Sequence, residues 1–289
     1  MFTVFLAALA GASFGGLTVA VQWGIRRCAD LEVGAFIAVA IGAIAVAVVS
    51  VPSAAAAGID VGGLLPFFGA GLLAPGASQI TMTLAVRNAG PARAGILMGA
   101  APLFSILIAL AVLGESFRLP IAIGTFLIVL GSIAMVGEGE RSYRHGRRGA
   151  VLALLCAVLF ASRDNLLRWG ARGDDISPFL AATSSLLAAT AFSLIYLALQ
   201  KPRDLRARVL QALPAFAPAG LALALGYGTL LLALDKGQVS IVSPLHATGS
   251  LWAVLLAAVF IGRSEGISHR TVLAALLVVA GGVLIGTFR

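Results

Sequence analysis

Apolar residues run in blocks of about 18 to 24 positions, separated by short polar or glycine-rich breaks, from one end of the chain to the other. A helix needs about 20 such residues to cross a hydrocarbon layer of about 30 Å. Backbone groups in lipid must be paired within the segment, and the period-two alternation of a strand barrel is not visible, so the blocks predict helices. We read ten spans, at 2–25, 33–54, 63–86, 92–113, 119–137, 149–171, 178–199, 213–234, 239–261 and 271–288. The predicted fold is an all-α integral membrane protein.

The pattern is written twice. Gly90, Glu115 and Gly131 punctuate the end of one half, and Gly237, Glu265 and Gly281 do so at similar separations in the other. Phe14, Trp23, Gly24 and Arg26 are echoed by Phe160, Trp169, Gly170 and Arg172. This predicts a first repeat at 1–137, a basic connector at 138–148 (EGERSYRHGRR) and a second repeat at 149–289. Each half holds five spans, an odd number, so the second enters the membrane from the opposite side. The expected architecture is therefore two inverted five-helix repeats, the arrangement of many secondary transporters. The first block has no basic n-region and ends in Arg26 and Arg27, which reads as a span instead of a cleaved signal. Cys28 falls near the end of one helix and Cys156 within another, and no disulfide is expected.

Composition sharpens this. The chain is 60% hydrophobic and 11% charged, with a mean hydropathy of +1.03, far more apolar surface than a soluble fold could hide. Its 20 Lys and Arg against 12 Asp and Glu are distributed by side. With these spans one face collects Arg26, Arg27, Arg87, Arg93, the cations of 141–148 and 201–208, Arg263 and Arg270; the other has Arg118, Arg163, Arg168, Arg172, Lys236 and Arg289. The richer face is expected to be cytoplasmic, which puts both termini outside. The basic balance thus reads as topology and contact with the lipid bilayer, with no nucleic-acid partner. Nothing bears on oligomeric state, and a monomer is compatible with the pattern.

Pro102, the aliphatic run to Gly114 and Glu115, Gly124 and the LIVLGSIAMV segment resemble the end of an EamA domain. Two such domains in tandem resemble the ten-helix members of the drug/metabolite transporter superfamily. The second half departs from the pattern: its proline, Pro244, lies nearer the start of its helix, and Trp252 or Ser250 takes the place of Pro102. The resemblance implies a secondary transporter of the bacterial inner membrane that moves small metabolites, often amino acids, by alternating access and without ATP. It implies export more than uptake, and no enzyme activity, cofactor or metal. In the same frame Pro102, Glu115, Gly131, Pro244, Glu265 and Gly281 are structural marks of the family.

Polar residues inside the spans are few, and each is costly enough to be a candidate. Helix six carries Arg163, Asp164 and Asn165; Gln79, Tyr227 and His246 lie in spans three, eight and nine. An arginine fork suits a carboxylate and an aspartate suits an ammonium, which points to a small polar or zwitterionic, amino-acid-like substrate. Neighbours on a helix lie about 100° apart, so Arg163 and Asp164 are expected to have different partners. Asp164 or His246 could also carry a coupled proton. In the bland alternative helix six ends early and both charges sit in water. Two other functions stay open: an intramembrane serine hydrolase using Ser13, in a GxSxG pattern, with His246, and a lipid flippase. The glycine pairs Gly11 and Gly15, Gly95 and Gly99, and Gly282 and Gly286 read as close helix contacts.

Overall fold

The computed structural model describes residues 2–89, 94, 97–116, 118–134, 146–173, 176–200, 204–260 and 269–287, and every regular element among them is helical. In chain order these are α1 (Phe2–Arg27), α2 (Leu31–Ala57), α3 (Val61–Gly71), a π segment (Leu72–Ala77), α4 (Ser78–Ala89), α5 (Ala101–Val112) and α6 (Leu119–Ala134). The second half holds α7 (Gly146–Gly173), α8 (Pro178–Leu199), α9 (Leu205–Lys236), α10 (Val239–His246), α11 (Gly249–Phe260) and α12 (His269–Thr287). Six are long and apolar enough to cross a membrane: Phe2–Arg27, Leu31–Ala56, Val61–Met82, Arg147–Arg172, Pro178–Leu199 and Leu205–Lys236. Ala101–Val112, Leu119–Gly131 and Leu276–Ile285 are shorter apolar helices.

Four expected spans need correction. The third is broken: Ala74 leaves the helical region (φ −150°, ψ 127°) just before Pro75, whose missing N–H cannot continue the ladder. The ninth divides at Ala247 and Thr248, three residues after Pro244, into α10 and α11. Its counterpart behaves alike, since Gly99 and Ala100 form a turn and Pro102 opens α5 instead of lying inside a continuous helix. The eighth begins at Leu205 and runs 32 residues through Pro214 and Pro218. Glu265 and Gly137 lie outside the described residues.

Each half packs mainly on the other. α1 lies against α9 and α11; in the matching places of the second half, α7 lies against α3, α4 and α5. Glycine permits these approaches. A Cβ at Gly15 would stand 2.6 Å from Trp252 Cβ, and one at Gly24 2.9 Å from the Ala215 carbonyl. The register gives directions. Gly24 meets Phe216 while Gly226 meets Phe14, so α1 and α9 are antiparallel. Ser53 with Ser177 and Ser50 with Thr183 make α2 antiparallel to α8, and Ser184 and Ser185, donating to Leu64 and Phe67 carbonyls, make α8 parallel to α3. α9 runs with α2, because Phe216 covers Gly34 and Leu223 covers Gly42. α7 opposes α3, with Gly170 against Phe67 and Leu166 against Gly69. These relations together leave α7 antiparallel to α1.

One face is tied by Asp30, which caps α2 through the Val33 N–H at 3.3 Å and accepts both Arg208 Nε and Nη2, at 2.7 and 2.9 Å. The Arg208 hydrogen bond, helped by the Val33 amide, holds the Asp30 carboxyl below the usual carboxylate range. A carboxyl depressed on folding stabilises the protein above its unfolded value of about 3.9 and loses that contribution as pH falls below it. Asp30→Asn should therefore melt below wild type at neutral pH, and the two melting curves should converge as pH drops from about 4. Equal melting temperatures at neutral pH would count against the pairing.

Candidate functional site

α7 continues to Gly173, so Arg163 and Asp164 stand well inside it, and they are 2% and 3% exposed. The early end that would place them in water does not occur. Nor do they take different partners: Arg163 Nε and Nη2 both donate to Asp164 Oδ1, at 2.9 and 2.6 Å. The separation of neighbouring Cβ atoms is overcome by the length of the arginine, which curls back onto the shorter carboxylate. The reason is electrostatic. Burying an isolated charge costs several kcal/mol, and a pair that neutralises itself avoids most of that.

Aromatic rings enclose the pair. The guanidinium carbon lies 5.3 Å from the Phe160 ring centroid and 5.7 Å from that of Tyr227. Tyr227, fully buried on α9, donates its hydroxyl to the Ala74 carbonyl in the broken third span. Phe14 of α1 packs at 6.1 Å from Tyr227 and edge-on to His246 at 4.6 Å. His246, the last residue of α10, lies within electrostatic reach of Asp164 and Arg163; its Nε2 is buried and has no hydrogen-bond partner among the described residues. Arg163, Asp164, Tyr227 and His246 thus converge between α1, α7, α9, α10 and the broken span. Interrupted helices bring backbone carbonyls and helix ends to such a centre, which a continuous helix would keep to itself.

Asn165 points elsewhere. Its Nδ2 donates to Ser105 O at 3.0 Å, Ser105 Oγ at 3.2 Å and Ala161 O at 2.9 Å, which fastens α7 to α5. Gln79 is half-buried on α4, beyond the break. Ser13 gives its hydroxyl to Leu9 O at 2.8 Å inside its own helix, and His246 meets Phe14; the hydrolase arrangement has no support here, and neither does the flippase. Phe14, Phe160 and the Ala74 carbonyl were not among the expected site residues. Pro75, one position past Ala74, is the residue in the sequence that marks the break at which this carbonyl is exposed.

Glu115 is 6% exposed, and its two oxygens accept the Val239 and Ser240 N–H groups at 2.9 and 3.0 Å, capping α10 from the loop after α5. Gly114, at φ 63°, turns the chain so that Glu115 can reach. Gly131 and Gly281 lie in the contact of α6 with α12, and Pro244 is buried within α10.

The profile of the EamA-like transporter family matches residues 1–137 and again residues 147–287. The chain belongs to the EamA-like transporter family. It is accordingly a multi-pass membrane protein of the drug/metabolite transporter superfamily, a family made up of transporters and not enzymes. A solved structure titled only as the crystal structure of a protein is similar to it with a TM-score of 0.70 at 21% identity, over 94% of this chain and 95% of its own, which shows the shared fold. No curated protein matches the sequence. In the EamA frame the buried pair on α7 belongs to the second repeat, and its equivalents in the first, Leu17 and Thr18 on α1, carry no charge.

Proposed function

We propose that this EamA protein is a secondary transporter for a small zwitterionic, amino-acid-like metabolite, moved outward across the bacterial inner membrane by alternating access. The reading takes the chain as ten spans in two inverted five-helix repeats, with both termini outside. The opposed directions of α1 and α7 and the crossed packing of the halves support it, as does the bias of Lys and Arg between loops.

The observation that carries it is the self-neutralised ion pair in the aromatic-lined centre. A zwitterion can exchange into this pair without leaving a charge unmatched: its carboxylate takes the Arg163 fork and its ammonium takes Asp164. A plain anion would leave Asp164 alone in a low-dielectric interior, and a plain cation would leave Arg163 alone. Asp164 or His246 carries the proton wherever transport is coupled to H+.

The test is a screen of amino acids against purified protein, by thermal shift and by flux in proteoliposomes, with N-acetylated and carboxamide analogues beside each hit. Only compounds keeping both the ammonium and the carboxylate should shift the melting temperature and be moved. A hit whose acetylated or amidated form works equally well would overturn the proposal.

A further inference from the structure

The face at which α7 ends and α1 begins is cross-tied in a way that the substrate site does not require. Arg168 Nη1 donates to the terminal carbonyls of α9, Leu234 O at 2.6 Å and Asp235 O at 2.9 Å. Arg172 Nη1 donates to Leu113 O at the end of α5, at 2.6 Å, and its Nη2 stands 3.6 Å from Glu115 Oε1. Glu115 in turn holds the first amides of α10. Three helix ends, from both halves of the chain, are thus gathered by three side chains.

The ties are only partly satisfied. Arg168 Nε is buried without a hydrogen-bond partner among the described residues, and so is the Oγ of Ser240, a residue 3% exposed. A permanent staple in low dielectric is expected to use its donors, because an idle buried one is costly. Arg172 also borders an open cavity of about 550 Å³ lined by Gly62, Gly63, Pro66, Leu113 and Trp169, which leaves it room to swing away.

Two of the elements that bear these ties, α7 and α10, also bear the site. On α7, Arg168 follows Asp164 and Arg163 by about 6 and 7.5 Å of helix rise; on α10, the capped end and His246 are about 10 Å apart. The geometry points to a lock: Glu115, Arg168 and Arg172 hold this face shut, and α7 and α10 act as rigid levers that release it when the centre rearranges. This rests on the transporter reading above, yet its test needs no substrate.

Val242 is fully buried on α10, between the capped end and His246. In a Cys28→Ser, Cys156→Ala background, Val242→Cys reports opening through its labelling by a membrane-impermeant maleimide, in spheroplasts and in inside-out vesicles. Adding Arg168→Gln or Glu115→Gln should accelerate labelling roughly tenfold, the shift in a two-state equilibrium from losing about one charge-assisted hydrogen bond. The acceleration should come from one side of the membrane only, the outer one if the orientation above holds. Arg168→Lys, which keeps the charge without the fork, should be intermediate and serves in place of Arg168→Gln if that variant does not survive purification. Unchanged labelling in every variant would overturn the lock, and so would equal acceleration from both sides, the mark of a loosened fold. A failed substrate screen with one-sided acceleration would remove the zwitterion and leave the lock.

Discussion

Arg163→Gln and Asp164→Asn should each reduce transport at least about tenfold, and the double variant should not recover it. Each single change leaves one charge unmatched at a position only 2% or 3% exposed, and breaking a buried pair in this way costs about 3 kcal/mol of stability. The double variant replaces both charges by amides that can still bond to each other through neutral groups. Its stability should return toward wild type while its flux stays low, because neither the carboxylate nor the ammonium of the substrate has a charged partner left. The separation of the two readouts is what distinguishes a transport site from a structural ion pair. Melting temperature and proteoliposome flux, measured on all four proteins, would decide it. Wild-type flux in the double variant would sink the assignment.

The second large effect is expected where α6 crosses α12. A Cβ at Gly131 would lie 2.7 Å from the Ala274 carbonyl and 2.7 Å from Val278 Cγ2, and one at Gly281 would run into the Gly124 carbonyl. Backbones that close cannot yield to a side chain without separating, and overpacking of this kind costs about 1 to 3 kcal/mol. Gly131→Leu and Gly281→Leu should therefore lower abundance in the membrane and the melting temperature of what is recovered. Gly16→Ala is the control: its Cβ would meet only Leu256 Cδ1, at an ordinary 3.8 Å. Normal stability in Gly131→Leu, with transport alone impaired, would mean that this contact moves during the cycle instead of holding the bundle.

Much of the candidate site was legible because lipid makes polarity expensive. Arg163, Asp164, Tyr227 and His246 could be picked from apolar blocks without knowing a single neighbour, since a buried charge or ring nitrogen there costs several kcal/mol unless it has a use. Asn165 was picked on the same ground and turned out to fasten α7 to Ser105, for cost alone does not separate a substrate contact from an interhelical bond. The mutual pairing of Arg163 with Asp164 was not legible. It depends on a side-chain rotamer that the surrounding Phe160 and Tyr227 permit, and helix spacing by itself argued the other way. Glu115 shows the same limit: its position at a helix end was readable, its partners at Val239 and Ser240, more than 120 residues on, were not.

By itself the sequence determined that this chain lies in a membrane, that it is helical and that it is built twice, because hydrophobic length and backbone pairing are properties of segments. The tertiary structure alone decided which helix lies on which, where the third and ninth blocks break, and that the ends of α5, α9 and α10 are tied together at one face. Between helices already in lipid the hydrophobic effect favours no partner over another. The choice falls to glycine contacts and a few hydrogen bonds between residues far apart in the chain, and those exist only once the bundle has closed.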